Sequence, residues 1–249
     1  MKNKWANALF AIKTMPFITA GFLAVSGCAQ KAAPPTGMAC QLRTQALDIR
    51  DNHKGRTLRD PIRLADIPLT KTSIGYGPAL NPKAEITIVD GQYLLTGPTG
   101  TNILPRHQPG PNQGATFIVW ANAGRWQAPA PLPKAETLPE ISAAIGAFAH
   151  ARGCGQTRVF PFKLRGRAKS LVWSATGAPK SIKETLENVE VTIVGIYDDS
   201  GRPKNAIMQG LDIHPHVYIK EKEISGHLNQ VHLEPGAVVI VPAPLLQQD

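Results

Sequence analysis

The sequence predicts an α+β fold, of the mixed α/β kind, rich in strands and poor in helices. Three observations predict it. Gly and Pro number 22 each in 249 residues, which favours turns and short strands over long helices. Several segments are dominated by β-branched residues, foremost "VEVTIVGIYDD" at Val189–Asp199. Only two segments carry helix-start signals. The length suits one large or two small domains, and 43% apolar with 18% charged residues is normal for a chain with a buried core.

"MKNKWANALFAIK" carries Lys2, Lys4 and Lys13 and no acid, and the uncharged stretch "MPFITAGFLAV" follows it. This has the layout of a signal peptide and is too short for a stable membrane span. It ends at "VSGC", which resembles a bacterial lipobox with Cys28 as the acylated residue; the alternative is an ordinary secretory signal with Cys28 incidental. Residues 1–27 are thus expected to be a lipoprotein leader and 28–44 a lipid-anchored tether, small and Pro-bearing. The expected location is the bacterial cell envelope, facing the periplasm. Ala29 after the cysteine favours the outer membrane by the usual sorting rule. Loss of the leader lowers the net charge from +9 to about +6. The remaining basic residues are scattered, with no run of five or six, so no nucleic-acid partner is expected. If Cys28 carries lipid, Cys40 and Cys154 are left in an oxidising compartment. An even remainder reads as one disulfide, with two free thiols as the alternative.

The body divides into an N-terminal β-rich half, 45–132, and a C-terminal α+β half, 133–249. "AEITIVDGQYLL" (Ala84–Leu95) has strand character broken by Asp90-Gly91, a hairpin signal. "GATFIVWANAG" (Gly114–Gly124) predicts a buried strand, and the Pro-rich Ala128–Pro139 a loop between the halves. A helix follows, with Thr137 as cap, Pro139 in the first turn, an Ile141, Ile145 and Phe148 stripe, and Gly153 as stop. Thr157–Leu164 predicts a strand. Ser181 and Glu184, at capping-box spacing, predict a second, short helix. Val189–Asp199 and Ala237–Val241 predict two further strands.

"GLDIHPHVYIKEKEISGHLNQ" (Gly210–Gln230) holds three of the seven histidines. On a strand, His214, His216 and Tyr218 face one way, and Ile213, Pro215, Val217 and Ile219 face the other. Residues i and i+2 lie roughly 6–7 Å apart, so two imidazoles can converge on one ion at about 2.0–2.1 Å. "KEKE" turns the chain and "SGHLNQVHL" can return antiparallel, bringing His227 beside the pair. Gly226 allows close backbone approach. His232 has the wrong parity and is left out; His53, His107 and His150 lie in unrelated stretches. Three imidazoles leave an open position on zinc, the pattern of a catalytic site. The alternative is a polar strand face with unligated histidines.

At these residues the chain resembles the alpha-acetolactate decarboxylases, whose zinc motif is a His-x-His pair with a third histidine eleven residues on, preceded by Gly. A second match is "GPALNPKAEITIVDG", which puts Glu85 eight residues after Gly77 and five before Asp90. A looser one is "LENVEVTIVGI" (Leu186–Ile196), similar to the strand that enters the family's zinc site. The resemblance runs from about Ile74 to His227 and implies two mixed β-sheets with a few helices, Zn2+ on His214, His216 and His227, and a dimer. It also implies a reaction on a small 2-hydroxy-3-keto acid: 2-acetolactate loses its carboxylate, and the enediolate is protonated to acetoin. Glu85 matches a family glutamate that moves the proton; the other reading of Glu85 is a carboxylate in a surface ion pair. Where the family grips the substrate carboxylate with Arg, this chain has Lys163, with Arg165 two residues on able to share the role. No counterpart of the family's second active-site Glu is identified; Glu234 is the one Glu after His227. Pro215 inside the metal pair predicts an edge strand.

Other readings are a cupin, from "HPHVYIKE" with Glu221 and the Pro-Gly strand Leu233–Ala243; a metal- or ligand-binding lipoprotein without turnover; and a zinc hydrolase.

Overall fold

Asp90-Gly91 sets the first structural feature. Asp90 (φ 50°) and Gly91 (φ 78°) both take the left-handed conformation, as a two-residue hairpin of type I′ requires. Val89 pairs with Gln92 across the turn. The computed structural model describes residues 46–51, 53–54, 57–58, 62–80, 83–99, 102–106, 109–110, 112–132, 135–152, 157–177, 180–201, 208 and 210–244. The expectations for the leader, Cys28, Cys40, Gly153 and Cys154 lie outside them.

In chain order the strands are β1 (Ala46–Asp51), β2 (His53–Lys54), β3 (Thr57–Leu58), β4 (Ile62–Arg63), β5 (Ser73–Leu80), β6 (Ala84–Val89), β7 (Gln92–Thr99) and β8 (Asn102–Arg106). Then come β9 (Gly114–Ala115), β10 (Phe117–Asn122), β11 (Ala130–Pro131) and the helix α1 (Leu138–Ala151). The chain continues through β12 (Val159–Ala175), β13 (Ile182–Asp198), β14 (Ile213–Ile219), β15 (Ile224–Leu233) and β16 (Val238–Ile240). β2 and β3 form a small ribbon of their own. A first sheet runs β1-β10-β5-β6-β7-β8, with β4 and β9 attached beside β5. A second runs β11-β16-β12-β13-β14-β15, and β15 returns to pair with β12, so four strands curl into a closed ring. The α+β fold class holds, mostly strands with one helix among the described residues. Every ladder among them is antiparallel, where the resemblance implies mixed sheets. No helix of the described residues is long and apolar enough to cross a membrane.

The helix α1 lies where the capping pattern puts it. Glu140 accepts hydrogen bonds from the Thr137 and Glu136 amides, which closes its first turn. Ile141 and Ile145 are fully buried, with Phe148 packed beside them, against the ring formed by Phe160, Phe162, Ile193 and Val217. The second, short helix does not form: Ser181 precedes β13, whose residues pair with β12 from Ile182↔Ala175 onward. The reason is a shared spacing. Ile182 and Leu186 are four apart, so they share a face in a helix and in a strand alike, and both pack on the core from the strand. A long hairpin partner then decides between the two. The expected strand Thr157–Leu164 continues to Ala175 for the same reason. Arg165, Arg167 and Lys169 alternate outward along β12, with Ala168 and Leu171 buried, so the charged stretch is one face of a strand.

The sheets pack through one face of each. Ile74 and Tyr76 of β5 and Val119 and Ala121 of β10 meet Val194 and Ile196 of β13. On the far face of the first sheet, Ile86, Ile88, Ile118 and Trp120 form a separate core. Gly75 and Gly77 lie on that far face. A Cβ on Gly75 would strike the Val119 carbonyl and one on Gly77 the Phe117 carbonyl, so glycine is what lets β5 lie flush on β10.

Candidate metal centre

The His-x-His spacing works as alternation requires. In β14, Ile213, Pro215, Val217 and Ile219 are buried on one face, and His214 and His216 project from the other. After a turn at Lys220–Lys222 closed by Glu223 in the left-handed conformation, β15 returns and places His227 directly opposite His216. The three histidines offer ring nitrogens that all lie within 4.8 Å of one another. His214 Nε2 and His227 Nδ1 are 3.0 Å apart. His232 is exposed and outside the group, as its parity predicts. β14 is not an edge strand, since it pairs with β13 and β15. Yet its ladder to β15 begins only at His216, so Pro215 has a strand partner on one side alone, opposite Gly195.

The first sheet supplies the other wall. Pro78 pairs with Glu85 and Tyr76 with Thr87, so these four side chains share the face turned to the histidines. Glu85 is 7% exposed, which rules out a surface ion pair. Its Oε2 accepts hydrogen bonds from the Thr176 amide (3.0 Å) and hydroxyl (2.7 Å). Its Oε1 lies 3.7 Å from His216 Nε2. Burial pushes the carboxyl up to about 7, against the pull of the two Thr176 hydrogen bonds. His216 is 1% exposed, and its Nδ1 is 3.0 Å from Thr87 Oγ1, which turns Nε2 toward the other two rings.

Burial also pushes the imidazoles down, His214 to about 3 and His216 well below the usual range, with the neighbouring histidines adding to the effect. They are therefore neutral near pH 7, the form a metal requires. His214 Nδ1 is buried with no hydrogen-bond partner. One shared proton between His214 and His227 does not satisfy the cluster, so the donor set fits a divalent ion better than an unligated polar face.

The groups enclose a cavity of about 230 Å³ lined by the three histidines, Tyr76, Pro78, Glu85, Phe117, Ser174, Thr176 and Ser181 among others. Lys163 and Arg165 do not line it. Lys163 is 4% exposed, with Nζ 2.6 Å from Asp90 Oδ1 and 4.7 Å from the centre of the Trp126 ring. It ties the β6–β7 hairpin tip to β12. Arg165 is exposed on β12. Tyr76, Thr87 and Thr176 were not legible as site residues. Thr87 shares a strand face with Glu85, so parity points to it; Thr176 and Tyr76 arrive only through sheet packing.

Among solved structures, the chain is similar to acetolactate decarboxylase from Bacillus subtilis subspecies spizizenii, with a TM-score of 0.55 at 17% identity over 75% of this chain and 80% of that one. It is similar also to alpha-acetolactate decarboxylase from Bacillus subtilis, with a TM-score of 0.54 at 15% identity over 75% and 79%. At this identity the likeness is one of fold. No protein-family profile and no curated protein matches the chain.

Proposed function

We propose that the protein is a metal-dependent carbon–carbon lyase that decarboxylates a small 2-hydroxy-3-keto acid of the 2-acetolactate type. The observation that carries the reading is the placement of Glu85, buried beside three neutral histidines in a cavity sized for a small molecule. His214, His216 and His227 would hold the ion, with Zn2+ the choice that suits three imidazoles. The ion, when bound, supplies a Lewis acid for the negative charge left on the substrate as carbon dioxide departs. The proton is Glu85's task. Thr176 holds Oε2, so Oε1 carries the mobile proton toward the reacting carbon. A carboxyl near 7 is populated in both forms at neutral pH, as an acid that gives up and regains a proton should be. Tyr76 and Phe117 give the cavity an apolar aromatic wall beside Glu85 and the histidines.

The test is metal analysis of the purified protein together with an acetoin assay on 2-acetolactate. Stoichiometric metal with acetoin formation supports the reading, and metal without acetoin removes the decarboxylase. One observation favours a second reading. Lys163 is held by Asp90 away from the cavity, so a neutral substrate for metal-assisted hydrolysis would fit as well; turnover of a neutral ester panel without acetoin would select it. The proposal extends to the cell envelope, with Cys28 as a lipid anchor; labelled palmitate entering the wild type but not Cys28→Ser is the expected result.

A further inference from the structure

The three histidines all belong to the second sheet, yet two of their rings are flanked by a side chain of the first. Tyr76 stacks on His214 with ring centres 4.4 Å apart and on His216 with centres 4.9 Å apart, at 19° in both cases. His227 stands edge-on to the pair, at 88° to His214 and 86° to His216. We propose that Tyr76 is a positioning residue for the metal, a flat aromatic floor that holds His214 and His216 in the planes from which their nitrogens converge. The inference rests on the reading of the histidines as a metal centre.

An imidazole can turn about its Cβ–Cγ bond, and ligation demands one setting of it in each ring. His216 has a second restraint in Thr87, whereas His214 Nδ1 has no hydrogen bond to fix its ring. For His214 the Tyr76 face does what a hydrogen-bonding partner does for other metal-bound histidines. Next, an imidazole that binds a cation draws positive charge onto its ring. An aromatic face is electron-rich, so the same stack that orients the rings favours their ligated form. Finally, the backbone is built to bring the ring there. Tyr76 lies between Gly75 and Gly77, where a Cβ would collide with carbonyls of the neighbouring β10, so the glycines let β5 sit close beside β10 while Tyr76 projects from the opposite face toward the second sheet.

Tyr76 also belongs to the core between the sheets, with Val119, Val194 and Ile196, so the test must separate positioning from packing. Full-length protein stripped of metal is titrated with Co2+ against a chelator, and the visible spectrum of the bound ion is recorded. Tyr76→Leu should bind about 10–100-fold more weakly and shift the Co2+ spectrum. Tyr76→Phe, which keeps the face, should stay close to wild type in both. Val119→Ala opens the same core layer without touching an imidazole, and should lower thermal stability while leaving affinity and spectrum unchanged. If Tyr76→Leu does not fold, Tyr76→Met, which fills the volume with a flexible chain, carries the same expectation. Wild-type affinity and spectrum in the Leu or Met variant overturn the inference, and so does an equal loss in Val119→Ala. A wild type that binds no Co2+ removes the metal centre itself, and the two failures are thereby distinguished.

Discussion

The two sheets contribute to the cavity in different ways. The second supplies His214, His216 and His227 from one hairpin, within fourteen residues of chain. The first supplies Glu85, Thr87 and Tyr76, which lie more than a hundred residues away in sequence and arrive on a packed face. A set of histidines from one hairpin is held by local backbone geometry, so it survives small shifts of the rest of the fold. The side chains that face those histidines from the first sheet depend on how the sheets dock. Metal retention and turnover should therefore be separable by the sheet in which a substitution is made.

The largest effect is expected from the second sheet. His216→Ala removes the most buried ligand and should abolish stoichiometric metal binding, whereas His232→Ala, on the outer face of β15, should keep it. Metal analysis of the two variants checks this, and equal loss in both would break the assignment of the sheet as the ligand source. On the first sheet, Glu85→Gln should retain metal and lower turnover by about 10²–10⁴-fold. Loss of metal in that variant would mean that the first sheet holds the ion as well.

Lys163 of the second sheet ties itself to Asp90 of the first. Lys163→Ala should destabilise the fold by about 1–2 kcal/mol, from lost packing on Trp126 and the lost pair with Asp90. Thermal unfolding and substrate kinetics separate this role from a grip on the substrate: a raised KM at unchanged stability would instead put Lys163 in the cavity. The smallest effect belongs to the helix behind the second sheet. The Thr137 and Glu136 amides hold the Glu140 carboxyl below its ordinary range. A carboxyl depressed in the folded state adds stability above its unfolded value, and that stability is lost as pH falls through the folded value. Glu140→Gln should therefore lower the unfolding midpoint slightly at pH 7 and weaken its fall in acid, with metal binding untouched.

Local order alone was enough to locate the hairpin at Asp90-Gly91, the capped helix, the strands at 189–198 and 213–233, and the parity that gathers three histidines and excludes His232. Each depends on residues close in sequence, where turn chemistry, caps and two-residue alternation act directly on the backbone. The resemblance to acetolactate decarboxylases drew on that same local spacing, and the solved structures bear out the fold it implies. Tertiary structure decided the remainder. Residues 181–189 carry a helix-like start, but the ladder to β12 recruits them as strand, because many inter-strand hydrogen bonds outweigh one capping pattern. Lys163 has the residue type and position to meet a carboxylate, and the one it meets is Asp90, because the docked β6–β7 hairpin brings that acid to its amine. Glu85 could be read as a surface acid or as a buried one; only the packing of one sheet on the other removes its water and lifts its affinity for a proton. Tyr76 carries no signal of its own in the chain, since a ring becomes the floor of a site only when two histidines from another sheet are laid upon it.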